Sequence, residues 1–109
     1  MKIEDPDIIA EIEFLNTSEG GRSGYVKTGY NPHHKIKEDY LTSGIHEYIG
    51  KEKVFPGETV LVKIKFITPE VYPNSIEIGQ LIDIQEGSKL VAKAKVIDIL
   101  NLILIHREG

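Results

Sequence analysis

The chain has 109 residues, enough for one hydrophobic core and too few for a second beside it. With 40% hydrophobic and 28% charged residues it belongs with globular proteins and not with disordered chains. It has no cysteine, which rules out a disulfide framework, a thiol nucleophile and a thiolate zinc site, and its formal net charge of -4 works against non-specific attraction to a phosphate backbone.

The segment Met1 to Asp7 is acidic and lacks the apolar stretch of a signal peptide. No apolar run approaches the ~20 residues needed to cross a bilayer, so a cytoplasmic protein without membrane contact is expected. Ile8 to Leu15 alternates, with Ile8, Ala10, Ile12 and Phe14 on one side and Glu11 and Glu13 on the other, which predicts a half-buried strand. Gly20-Gly21, Gly29, Pro32 and Pro56-Gly57 then mark turns at short intervals. Thr59 to Ile67 alternates more clearly, with Val60, Val62, Ile64 and Phe66 against Lys63 and Lys65. Beyond Pro69 and Pro73-Asn74, Ile82 and Ile84 lead into the turn Glu86-Gly87-Ser88, and Leu90, Ala92, Ala94 and Val96 alternate against Lys93 and Lys95 as a closing hairpin. Leu100 to Ile105 is the most hydrophobic stretch and is expected as a further strand, paired in the barrel, with a second copy or with a partner. No stretch shows a capped helical period. The pattern therefore predicts one all-β domain, a barrel or a sandwich, with helix limited to single turns.

Few side chains are arranged for chemistry. Glu19-Gly20-Gly21-Arg22 lacks the Gly-Lys-Ser/Thr ending of a phosphate-gripping loop and reads as a tight connection anchored by Arg22. His33 and His34 are adjacent, so on a strand they point to opposite faces and are poorly placed to share a metal. All four histidines, with His46 and His106, are expected at the surface or an interface. Ser43, His46 and Glu47 are close in sequence without the turn that activates a serine nucleophile. The carboxylates Glu11, Glu13, Glu38 and Asp39 fall on solvent faces or in turns. Phe14, Phe66 and Tyr30 are expected in the core or at its rim. Neither an enzyme nor a cofactor or metal site is predicted.

The ordered series Glu19-Gly20-Gly21-Arg22, Gly29-Tyr30-Asn31-Pro32, Val54-Phe55-Pro56-Gly57-Glu58 and Ile84-Gln85-Glu86-Gly87-Ser88-Lys89, followed by Val91 to Ile97, resembles the third domain of elongation factor Tu. The resemblance covers residues 9 to 101, leaving 102 to 109 as a carboxy-terminal extension of a single domain, 1 to 109. It implies a six-stranded antiparallel Greek-key barrel without a nucleotide-binding domain. It also implies a contact face for the T stem of aminoacyl-tRNA at His33, Thr42, Glu86, Gly87 and Lys89.

Several positions depart from that family. Ser23 to Lys27 and Asn31 replace its motifs facing the nucleotide domain, Ser88 and Lys89 replace a glycine and an arginine, and an insertion lies within Tyr72 to Ile78. Two functions follow as expectations. One is a non-catalytic binding module related to elongation factor Tu that contacts tRNA or a translation factor. The other is a protein-interaction or assembly domain that keeps the barrel without RNA binding. Arg22, Tyr25, Leu102 and Leu104 are its interface candidates, with the carboxy-terminal strand available to a partner or a second copy.

Overall fold

Alternating side chains need a closed interior on one side, and six strands supply it by pairing into a ring. A computed structural model describes residues 2–38 and 40–106, so Asp39 and the last part of the extension, 107–109, lie outside the described residues. The strands are β1 (Ile8–Phe14), β2 (His33–Lys37), β3 (Tyr40–Tyr48), β4 (Thr59–Phe66), β5 (Leu81–Glu86) and β6 (Lys89–Ile99). They form a closed antiparallel barrel in the order β1-β4-β3-β2-β5-β6. The meander β2-β3-β4 with β1 laid beside β4 is a Greek key. Closure matters because a ring has no unpaired edge to attract another chain.

The predicted alternation fills the interior. Ile8, Ala10, Ile12 and Phe14 of β1 meet Val60, Val62, Ile64 and Phe66 of β4, and Ile82, Ile84, Ala92, Ala94 and Val96 complete the wall, all buried. Each large aliphatic side chain removed from water contributes about 1.5–3 kcal/mol to folding. Two irregularities interrupt the period of two. The β1–β6 register shifts between Ile9 and Ala10, so Ile97 and Asp98 both face outward before Ile99 turns in again. The β5–β6 register shifts between Ile84 and Gln85, and Val91 and Ala92 are consecutively buried. Helical structure among the described residues amounts to three 3₁₀ turns, Thr17–Glu19, Pro69–Val71 and Leu102–Leu104.

Alternating strand directions give the barrel two unlike ends. The β1–β2 connection crosses one end, joined there by the β3–β4 loop and the Gly87-Ser88 turn. The β4–β5 connection crosses the other, together with the β2–β3 turn, the segment before β1 and the one after β6.

The expected seventh strand does not form. Both edges of β6 are occupied, by β1 and β5, so no place in the ring remains for Leu100 to Ile105. The chain turns instead. The Asp7 carbonyl accepts hydrogen bonds from the amides of Leu100 (2.9 Å) and Asn101 (3.0 Å). The Asp7 carboxylate, itself buried, accepts from the Phe66 amide (2.7 Å) and from Asn101 Nδ2 (2.9 Å). The 3₁₀ turn Leu102–Leu104 then drives Leu104 into the core, and Ile105 forms a parallel bridge with Ile76. The segment 72–78 is tied down by the same contacts, with Ile76 fully buried and Tyr72 packed against the core.

Candidate functional site

At the first end, backbone geometry gathers polar side chains from distant parts of the chain. The loop after β1 turns at Thr17–Glu19, where Glu19 accepts from the Asn16 amide (3.1 Å), and Gly21 passes so close to the Leu15 carbonyl that a Cβ would sit 2.5 Å from it. The loop then carries Arg22 and Tyr30 over the barrel mouth. Arg22 forms an ion pair with Glu86 at the end of β5, the Tyr30 hydroxyl donates to the same Glu86 oxygen at 2.5 Å, and the Arg22 guanidinium lies 5.1 Å from the Tyr30 ring centre. Burial and the Glu86 charge push the Tyr30 phenol well above its ordinary range. Burial alone would lower the Arg22 pKa, but the Tyr30 and Glu86 oxygens outweigh it and the net shift is upward. With two donors on one oxygen, Glu86 ties Arg22 and Tyr30 together across the barrel mouth.

Beneath this lid lies a hydrogen-bonded chain inside the core. His34 and His46 are both fully buried, with their Nε2 atoms 2.8 Å apart; His34 Nδ1 is 3.1 Å from the Thr42 carbonyl and His46 Nδ1 is 2.9 Å from the Tyr48 hydroxyl. The carbonyl can only accept, so His34 carries its proton on Nδ1 and its Nε2 is an acceptor. His46 must then donate from Nε2, leaving its Nδ1 to accept from Tyr48. One arrangement of neutral rings thus satisfies every group. Burial lowers the His34 pKa to about 4, helped by the nearby His33. Burial, then the His34 charge, holds His46 well below its ordinary value. Gly44 makes this possible, since a Cβ there would stand 2.8 Å from His34 Cε1 and 3.1 Å from Ile64 Cγ2.

This overturns the expectation that all four histidines lie at a surface or interface. His34 and His46 face inward because Thr42, Gly44, His46 and Tyr48 occupy alternate positions of β3. The same alternation turns Ser43 and Glu47 to the opposite face from His46, so the three form no catalytic unit.

The residues expected to face RNA are distributed unevenly. Register places His33 opposite Gln85 and Glu86 opposite Lys89, so His33, Glu86, Gly87 and Lys89 share one region with Arg22. Gly87 is exposed with φ +62, and Lys89 is exposed. Thr42 is buried, 4% accessible, and presents no side chain to a ligand. Tyr25 stands apart in the same long loop, packed against Phe55 with ring centres 5.5 Å apart and under Lys53, whose Nζ is 4.8 Å away.

The opposite end carries the other two interface candidates, and they part company. Leu102 is 64% exposed, whereas Leu104 is fully buried and is a core residue. Exposed Val71, Leu102 and Ile103 lie on 3₁₀ turns that pack against each other, and Ile67 and Leu100 are exposed on the same two segments. A groove between the segments is lined by Asp5, Pro6, Pro69, Leu100 and Asn101.

Among the described residues no group of three or more His, Cys, Asp or Glu is placed to hold a metal ion, and no helix is long and apolar enough to cross a membrane. No protein-family model matches the chain.

Proposed function

We propose that this protein is a non-catalytic interaction module, a barrel that displays a protein-binding surface at the end bearing Leu102. The reading is carried by one observation: exposed Val71, Leu102 and Ile103 lie on two 3₁₀ turns that pack together, with exposed Ile67 and Leu100 on the same two segments. Apolar side chains grouped in this way mark contact surfaces more often than isolated ones do. The state of the other end supports it, since Arg22 is held by Glu86 and Tyr30 and not offered to a phosphate. The resemblance to the third domain of elongation factor Tu would make a translation factor one protein of the class bound.

A second reading, contact with tRNA, is favoured by the clustering of His33, Glu86, Gly87 and Lys89 at the first end. Photo-crosslinking separates the two. With benzoylphenylalanine in place of Leu102 or of Ser88, protein adducts at position 102 are expected. RNA adducts at 88 without protein adducts at 102 would reverse the conclusion.

A further inference from the structure

The charges around the apolar end specify its partner further, on the reading that this end binds protein. Three segments build most of it, residues 3–9, 67–80 and 97–106, and contain no lysine or arginine; the β2–β3 turn, whose Tyr40 packs on Tyr72, adds exposed Lys37, and exposed Lys2 precedes the first segment. The three segments do contain Glu4, Asp5, Glu70, Glu77 and Asp98, all exposed. Among the described residues the cation lining the groove is Lys65 of β4, half-buried, with its ammonium donating to the Asp5 carbonyl at 3.2 Å. Asp7 is buried and engaged with Phe66 and Asn101, so it adds no free site.

We propose that this end docks a cationic amphipathic segment of another protein. Its apolar side chains seat on Val71, Leu100, Leu102 and Ile103, and its lysines or arginines reach the flanking Asp5 and Glu70. The sign of the rim selects among occupants. An anionic membrane or a nucleic acid would be repelled. A second copy in a two-fold contact would set like carboxylates against each other, because each patch meets itself. An apolar face with basic flanks satisfies both features at once. The closed ring leaves strand addition no open edge on the barrel, so the segment must bind through its side chains, as an amphipathic helix does in a groove.

The test uses the full chain and a fluorescein-labelled peptide of leucine and lysine with helical amphipathic spacing. Its control is the same composition scrambled to destroy the apolar face. Anisotropy should show saturable binding of the amphipathic peptide, weakened by salt, and at least about tenfold weaker for Leu102→Glu and for Asp5→Lys with Glu70→Lys. Because these side chains are exposed, the thermal midpoints of the variants should match the parent and so report on docking alone. Equal binding of the scrambled peptide, unchanged affinity in both variants, or a dimer that Leu102→Glu dissociates would overturn the proposal. Mapping the adducts from position 102 distinguishes its failure from that of the broader reading. Crosslinks to Lys- or Arg-rich amphipathic segments support it, and crosslinks only to acidic or neutral protein segments refute it while leaving an interaction module.

Discussion

The two ends of the barrel are closed by opposite means. One is sealed by charge and hydrogen bonds: Arg22, Tyr30 and Glu86 cover a buried relay of His34, His46 and Tyr48. The other is sealed by apolar wedges, with Ile76 and Leu104 buried beneath a surface that stays apolar outside. A polar closure satisfies much of itself and offers a partner little, because Arg22 and Tyr30 already donate to Glu86. An apolar closure is less complete, since filling the interior leaves further hydrophobic side chains facing water.

Substitutions can test this contrast at each end. The largest effect should come from Leu104→Ala, which empties a fully buried site and should lower the unfolding free energy in urea by about 2–5 kcal/mol. Acid should then act through the histidine relay. The folded pKa of His34, about 4, lies below its unfolded value of 6.5, so the unfolded state binds the extra proton first. The stabilisation is whole above pH 6.5 and drains away as pH falls toward 4, by about 3 kcal/mol for His34 alone. Urea midpoints measured from pH 7.5 to 4 should follow that slope, and His34→Leu should reduce it by about one proton. Glu86→Gln should cost about 1–2 kcal/mol by weakening the charged bonds to Arg22 and Tyr30. In alkaline titration the same variant should bring one phenol to lower pH, because the neighbouring negative charge is gone. The smallest effect is expected for Leu102→Ala, within about 0.5 kcal/mol, since that side chain is exposed.

Legibility followed the chemistry of the interior. β1, β4 and the β5–β6 hairpin could be read because their inward positions are apolar, from Ile8 to Phe14, Val60 to Phe66, and Ile82 to Val96. β2 and β3 were hidden because theirs include His34, Thr42, Gly44 and His46, which break an apolar pattern without leaving the core. An alternation of small and polar residues ending in Tyr48 was the available signal, and it carries meaning only once the ring supplies partners. The Arg22–Glu86 pair spans 64 positions, a juxtaposition that depends on strand order and on no local motif. The composition of the carboxy-terminal run points to a strand, whereas its path is set by the closed ring and by Asp7.

That ring also constrains when the protein can fold. The first strand finds its neighbours in β4 and β6, where Ile8 lies opposite Ile64 and Ile99. During synthesis β1 therefore emerges before either partner, and it meets β4 only after some fifty further residues and β6 later still. Contacts this distant in sequence carry a large loop-closure cost before they return any stability, so the barrel should assemble late and slowly. An aggregation-prone nascent interval is built into the topology, and its length is set by the sequence distance from β1 to β4 and then to β6.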